Sequence, residues 1–577
     1  MNELFCQSIV FFDSKLKGGQ YRRNLTDWMV SIAEISKVKN EKMGKVFVLY
    51  LVLVLVIFSS TAQTTAIIPK PVSFIETNGD YTFAKQSKVN YSSNDTLVAG
   101  VAKFLKEKLL EDNGINLSIK KSSKNKNGIR FVLKDKIDGI INVEGYTLTI
   151  TKNGVEIAAL NPTGLFYGAQ TLRQLMLLKS SKNGEKISIP CLIIKDYPQF
   201  AWRGLMIDAS RHFQDVNWVK KYIDWLAFYK INTFHWHLTD SHGWRIEIEK
   251  YPKLTSVGAW RDQEGYPGRR YGGYYTKKEI REVVKYAKER FITIVPEIDV
   301  PGHSAAMIAA YPELTCFGKT AGVRAFTNFP VTEARNPCVV PADVCPGNDY
   351  VFSFLSDVFK EVAELFPGKY FHIGGDECGK LDWKNCPKCQ SRIKTENLAN
   401  ELELQSYFIR RIEKILTSYG KNLVGWNEIL EGGLAPNATV MSWQGEDGGL
   451  IAARSGHNVV MTPEEFVYFD HAQSNNPNHP KSWGKDISTL EDVYNYYSIP
   501  KSLEPEYAKH VLGAQACLWS VFTHTTDLCE IMTFPRICAF SEAVWTPLSN
   551  KDWNDFQLRV NRHLENFKVN NLNYYSE

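Results

Sequence analysis

The sequence carries almost no net charge for its length: 68 Lys and Arg against 63 Asp and Glu leave +5 across 577 residues. Beyond residues 1–62 the balance is closer still, 60 basic against 58 acidic side chains. With no basic excess to attract a polyanion, nucleic acid is not an expected partner. A comfortable bilayer span is missing as well, since it needs about 20 apolar residues and the run Val46–Phe58 has 13. Cysteine is sparse, 11 residues with ten beyond residue 62. Apart from Cys386-Pro-Lys-Cys389, no second pair stands at zinc-finger spacing. Loop-stapling disulfides are therefore favoured over half of a zinc site for Cys316, Cys338, Cys345, Cys378, Cys386 and Cys389.

What is present is aromatic. Phe, Trp and Tyr make 12% of the chain, with 14 Trp. Hydrophobic content of 44% and charged content of 23% are those of an ordinary globular protein, and the length predicts two or three domains. The apolar run follows Lys42 and Lys45 and is followed by Ser59-Ser-Thr-Ala62, small residues suited to signal-peptidase cleavage. Residues 1–62 are read as a targeting segment, with maturation near Ala62–Gln63 and a retained membrane anchor as the alternative. The expected location is exported: periplasmic, extracellular or a secretory or lysosomal lumen. Met43 stands just ahead of the run, so residues 1–42 are read as a misassigned start, which a mature N-terminus inside 1–42 would refute.

Residues 66–195 read as a small α+β support domain. Val98, Val101, Phe104, Leu105 and Leu109 repeat at helical spacing. Gly128–Leu133 and Gly145–Ile150 alternate as strands, Asn153-Gly154 turns the chain into Val155–Ala159, and Thr163–Leu178 reads as a second helix. Pro190–Pro198 is taken as the lead into the next domain. Over 196–577 the pattern becomes strand, loop and helix in alternation. The apolar runs are Gly204–Ile207, Thr233–Trp236, Ile292–Val295, Tyr370–Ile373, Asn422–Gly425, Thr439–Met441, Val459–Met461 and Leu512–Ala516. Helices are expected between several of them, such as Val216–Tyr229, Lys277–Glu289 and Leu398–Tyr419. Eight such units predict an α/β fold, a (β/α)8 TIM barrel, over a doubly wound open sheet of similar alternation.

The run Phe371-His-Ile-Gly-Gly-Asp-Glu377 is the centre of the reading. A buried strand ends in two glycines that let the backbone turn, and two adjacent carboxylates follow. Ionised together they repel, so one is expected to hold a proton, as a glycosidase acid must. The plain alternative is a solvated acidic turn. Other strand ends argue against it: Asp208 and Arg211; His235, His237 and Asp240; Glu297, Asp299 and His303; Trp426; Trp443; Tyr468 with Asp470; Trp519. In a barrel these converge on one mouth, and carboxylates, an Arg and aromatic faces together describe a sugar site. Competing readings are rim packing for single Trp residues, metal ligation by His235 and His237 with His303 and an Asp, and a structural bridge from Arg211 to Asp208.

Trp202-Arg-Gly-Leu-Met-Ile-Asp-Ala-Ser-Arg-His-Phe213, Phe234-His-Trp-His-Leu-Thr-Asp240, Pro301-Gly-His303, His372-Ile-Gly-Gly-Asp-Glu377, Gly425-Trp-Asn-Glu428 and Ala516-Cys-Leu-Trp519 resemble, in order, the β-N-acetylhexosaminidases of glycoside hydrolase family 20. Gly164–Leu172 resembles the α+β domain that precedes the barrel there. The resemblance implies substrate-assisted retention, in which the sugar's own 2-acetamido oxygen attacks the anomeric carbon to give an oxazolinium ion. It implies that Asp376 steadies the acetamido group, that Glu377 is acid and then base, and that Tyr468 donates to the acetamido carbonyl. Arg211 and Asp240 would grip the 3- and 4-hydroxyls, and Trp426, Trp443 and Trp519 would wall the pocket. His303 would support the acid region, and Asp470 would reach outer hydroxyls.

One position departs: where the family commonly carries a carboxylate two residues after the last Trp, Val521 stands here. Glu530 or Asp527 is expected to substitute, or the preferred sugar to differ. The expected activity is exo-hydrolysis of terminal non-reducing N-acetylglucosamine or N-acetylgalactosamine, with an oligosaccharide or glycoconjugate as partner and neither cofactor nor catalytic metal. A disaccharide-releasing relative of the lacto-N-biosidase type and a catalytically weak glycan-binding protein are the alternatives. A homodimer is compatible with the chain.

Overall fold

The computed structural model describes residues 66–576 apart from 85–86, 123–127, 181–185, 265, 321, 324–342 and 485. The expected targeting segment, Met43 and Cys338 lie outside these residues. No helix among the described residues is long and apolar enough to cross a membrane.

The first sheet contains β1 (Ser73–Thr82), β2 (Lys88–Tyr91), β3 (Ser118–Lys121), β4 (Gly128–Leu133), β5 (Tyr146–Thr151), β6 (Gly154–Ala159) and β7 (Ser188–Asp196), in the order β1-β7-β5-β6-β4-β2-β3. Helix α1 (Thr96–Asn113) begins where the Asp95 side chain accepts the Leu97 N–H, and it buries Val98, Val101, Leu105 and Leu109. Helix α2 (Pro162–Leu175) begins at Asn161, which accepts from the Gly164 N–H, with Pro162 in its first turn. Nearly every α2 side chain is buried, because one side meets the sheet while Phe166 reaches Phe291 of the following domain, ring centroids 5.2 Å apart.

The segment expected as a lead into the next domain is instead strand. Residues 188–196 form β7 between β1 and β5. Pro190 pairs with Asp80 where the β1–β7 register shifts, a place that tolerates a residue with no N–H to donate.

The eight expected core strands close a parallel barrel, giving a (β/α)8 TIM barrel preceded by an α+β domain. In chain order the barrel strands are β8 (Trp202–Asp208), β9 (Thr233–His237), β14 (Thr293–Glu297), β15 (Tyr370–His372), β16 (Asn422–Trp426), β17 (Thr439–Ser442), β18 (Val459–Met461) and β19 (Val511–Leu518), which pairs back to β8. Two hairpins, β10 (Thr239–Asp240) with β11 (Gly243–Trp244) and β12 (Trp260–Gln263) with β13 (Tyr266–Gly272), occupy the loop after β9. Outside lie α3 (Val216–Phe228), α4 (Lys277–Lys288), α5 (Asp349–Leu365), α6 (Pro387–Thr395), α7 (Glu401–Ser418), α8 (Asp447–Arg454), α9 (Leu490–Asn495), α10 (Arg536–Trp545) and α11 (Trp553–Val569). The fifth unit departs from the expected eight. Between β16 and β17 stands only a 3₁₀ turn, Asn427–Leu430, in a link that holds Gly432-Gly433 and Pro436 and is too short for a packed helix. Met206, Val295, Val424, Met441 and Val460 fill the barrel interior.

The joint between the domains is polar and fully buried. Asp196 accepts from Lys230 Nζ at 2.9 Å, Tyr146 Oη at 2.7 Å and Trp545 Nε1 at 2.8 Å. Beside it, Arg203 donates to Glu144 at 2.8 Å and to Tyr167 Oη at 3.0 Å.

Candidate active site

Each barrel strand delivers its polar group by a local device. At the end of β8, Asp208 accepts the N–H groups of Ser210 and Arg211, both at 2.9 Å, and turns the chain. Arg211 then lies 3.3 Å from Asp208 and 2.8 Å from Asp240, its guanidinium 4.9 Å from the Trp519 ring centroid. The bridge to Asp208 is real, but Arg211 is shared with Asp240 and stays at the mouth. Burial opposes the charge on Asp240, and Arg211 and then His303 overcome it, holding its carboxyl well below the usual range.

Beneath lies a belt that charge-balances itself. Glu297 at the end of β14 meets His237 Nδ1 at 2.5 Å, His372 Nδ1 at 2.8 Å, His235 Nε2 at 3.0 Å and Trp426 Nε1 at 3.1 Å. Burial resists ionisation of Glu297, but His237 and His372 outweigh it and keep it anionic. The metal-ligand reading of His235, His237 and His303 does not fit this placement. His235 faces Glu297 and His372, His237 lies between Glu297 and Asp240, and His303 faces Asp240 and Asp299, so the three rings do not gather in one group.

His303 joins the belt to the acidic turn. Its Nδ1 is 3.2 Å from Asp240, and its Nε2 is 3.4 Å from both Asp376 Oδ2 and Glu377 Oε2. Burial alone would lower its pKa; Asp240, and next Asp376, outweigh that and raise it well above the usual imidazole range. The two adjacent carboxylates thus share one cation. Burial, and next the charge of Asp376, raise Asp299 well above the carboxylate range. Gly374 (φ 71°) makes this possible: a Cβ there would stand 1.7 Å from Asp299 Oδ1.

The aromatic residues form the opposite wall. Trp519 lies 5.7 Å from Trp426 and 6.3 Å from Tyr468, ring to ring. Trp443 runs nearly parallel to Tyr468, 16° apart at 6.2 Å. Burial lifts the Tyr468 hydroxyl well above its ordinary range, so it is a neutral donor. Trp443 Nε1 donates to Glu428 at 3.0 Å. Asp470 is buried with Oδ1 unpartnered, and burial raises it to about 7.

Residues 200–548 match the model of the glycosyl hydrolase family 20 catalytic domain, and residues 64–197 match that family's domain 2. The chain belongs to glycosyl hydrolase family 20. As a family-20 chain it is a glycoside hydrolase. It is 42% identical over 514 residues to a β-hexosaminidase of Porphyromonas gingivalis, covering 88% of this chain but only 64% of that relative. A Vibrio furnissii β-hexosaminidase is 34% identical, over 84% of this chain and 77% of its own. Among solved structures, the family-20 exo-β-N-acetylglucosaminidase of Vibrio harveyi bound to N-acetylglucosamine superposes with a TM-score of 0.79 at 32% identity, covering 89% of this chain and 78% of that one.

Contacts join Arg211, Asp240, His303, Asp376, Glu377, Trp426, Trp443, Tyr468 and Trp519 into one connected group, and Asp470 lies beside Arg211 and the Trp519 backbone. Two expectations need correction. Glu530 does not reach the mouth: it pairs with Lys221 at 2.7 Å and accepts from Asn573 Nδ2 at 2.8 Å, which ties α3 to the C-terminal segment. Nor are there disulfides among the described residues, whose nine cysteines are all free. Four of them instead gather as a group, without bonded pairs. Sequence reasoning quoted Glu297, Asp299 and Glu428 but gave them no role. The signal was two carboxylates at i and i+2 around a strand end, which puts both on one face.

Proposed function

We propose that the protein is an exo-acting β-N-acetylhexosaminidase that releases terminal N-acetylglucosamine or N-acetylgalactosamine by substrate-assisted retention. The observation that carries this reading is the sharing of His303 between Asp376 and Glu377. One carboxylate pinned beside an imidazolium and another next to it suit a division of labour. Asp376 remains anionic, accepts the acetamido N–H and balances the positive charge growing on the ring. Glu377 protonates the glycosidic oxygen and then takes a proton from the incoming water. The substrate's acetamido oxygen attacks the anomeric carbon as the bond to the leaving oxygen breaks, so no enzyme nucleophile is required. An internal nucleophile held in line removes about 7–11 kcal/mol of barrier.

Tyr468 donates to the acetamido carbonyl and aims its oxygen, while Trp426, Trp443 and Trp519 enclose the acetamido methyl and the sugar face. Glu428 fixes Trp443 through the indole N–H. Arg211 and Asp240 hold ring hydroxyls, and Asp470 reaches the outer ones. Residues 46–62 support export, and the proposed partner is a glycan ending in an N-acetylhexosamine.

The test compares an aryl N-acetyl-β-glucosaminide and its galacto epimer with the matching aryl β-glucoside. Cleavage of the acetamido sugars alone is expected. Equal cleavage of the glucoside would require an enzyme nucleophile and end the mechanism; cleavage of none would favour a binding protein.

A further inference from the structure

Beside the acidic turn two loops meet through sulfur. Cys316 and Cys345 come from the chain between β14 and α5. Cys386 precedes α6 and Cys389 lies in its first turn, both in the loop after β15. The four sulfurs all lie within 4.8 Å of one another. Separations are 3.7 Å for Cys316–Cys389, 3.8 Å for Cys345–Cys386 and 3.5 Å for Cys345–Cys389.

These spacings are informative. A tetrahedron with metal–sulfur bonds of about 2.3 Å has sulfur–sulfur edges of about 3.8 Å. A disulfide would instead draw two sulfurs to about 2.05 Å and set the other pair apart. Here Cys345 lies 3.8 Å from Cys386 and 3.5 Å from Cys389, and Cys389 lies 3.7 Å from Cys316, so the four do not divide into two couples. Three are buried and Cys316 partly so, with Trp383 and Leu404 packed around them. A Cβ on Gly347 would stand 2.4 Å from the Cys389 backbone nitrogen, so one loop's backbone lies directly on the other's. The Gly347 N–H points to the sulfurs of Cys345 and Cys389, the kind of outer contact that tunes thiolate ligands. The start of α6 adds favourable partial charge for an anionic group.

We propose that Cys316, Cys345, Cys386 and Cys389 form a tetrathiolate site for one zinc ion that clamps the two loops flanking the acid. On binding, four thiol S–H bonds give up their protons to solvent and four sulfur–zinc bonds form; no electrons move, and the site carries a net charge of −2. The ion has no open position for substrate and takes no part in the chemistry. Its effect reaches the active site through the backbone. Asp343, two residues before Cys345, accepts the Lys380 N–H at 3.2 Å, just beyond Glu377. The Val344 N–H donates to Pro301 at 3.0 Å, two residues before His303. Coordination also shields the thiols from oxidation in the exported setting that the N-terminus suggests.

The experiment is metal analysis of the full chain purified without chelator, with intact mass after denaturation under non-reducing conditions. One zinc per chain and a fully reduced mass are expected. Cys386→Ser and Cys389→Ser should lose the zinc and unfold at lower temperature, while Cys191→Ser, in β7, keeps it. Should the cluster variants fail to fold, cobalt substituted into the parent decides: thiolate-to-cobalt charge-transfer bands with tetrahedral d–d bands support the site, and octahedral spectra overturn it. A metal-free chain whose mass is reduced by disulfides, iron in place of zinc, or zinc retained in both cluster variants would each overturn it.

Discussion

At Glu377 the backbone lies in the left-handed region (φ 44°), and its side chain is 40% exposed against 10% for Asp376. The turn sends one carboxylate outward and keeps the other buried, both within reach of His303. Glu377→Gln is expected to lower kcat/KM about 10²–10⁴-fold on a disaccharide with a sugar leaving group, and far less on an aryl glycoside whose leaving group needs no proton. Parallel loss on both substrates would remove the acid role. Glu428 offers a second test through pH. Burial, and then the charge of Asp376, raise it to about 8. A carboxyl that holds its proton only when folded favours the folded state below its unfolded value of about 4.3, and that stability is lost as pH rises towards 8. Glu428→Gln keeps an acceptor for Trp443 and removes the titration. The variant should gain unfolding temperature over the parent at pH 8.5 and show little difference at pH 4, as thermal melts at the two pH values would reveal.

The turn after β15 works as an element because its glycines leave room for someone else's carboxyl. Gly374→Ala must place a methyl where Asp299 Oδ1 stands and hold a positive φ. A cost of about 1–3 kcal/mol or more is expected from overpacking alone, with loss of activity on aryl N-acetylglucosaminide. An active, equally stable Gly374→Ala, measured by urea unfolding, would show that the turn has slack. The same scale explains what could be read beforehand. The barrel strands are short apolar runs bounded by turn residues, so all eight were legible. Helix α4 was legible as the expected helix Lys277–Glu289, and the structure adds the reciprocal cap between Thr276 and Glu279. Strand β7 was hidden by Pro190, and β1 by polar residues that stay exposed because it is a sheet edge. The missing fifth helix was a matter of length, which periodicity does not register.

For the molecule as a whole, the first domain and the barrel are fastened by charge inside a buried polar joint. Lys230 and Asp196 are both fully buried, and Tyr146 and Trp545 complete the acceptor's contacts. Removing one partner strands the other. Lys230→Met is expected to cost about 3–5 kcal/mol in urea unfolding while leaving the KM of any properly folded fraction near that of the parent. A change below 1 kcal/mol, on the order of an exposed pair, would mean that water reaches the joint.

The sequence by itself determined the eight barrel strands and the order of the motifs, since these depend on residue type and local period. It also supplied the adjacency of Asp376 and Glu377. Only the tertiary structure decided what each group faces. Asp299 is raised well above the carboxylate range by burial and then by Asp376, a residue remote in sequence, and Gly374 leaves its carboxyl room. Glu530, which spacing offered to the sugar, is held by Lys221 and Asn573. Cys316 and Cys345, far from Cys386 and Cys389 in the chain, converge through two loops. Each of these facts is a distance between residues remote in sequence, and local period carries no information about such distances.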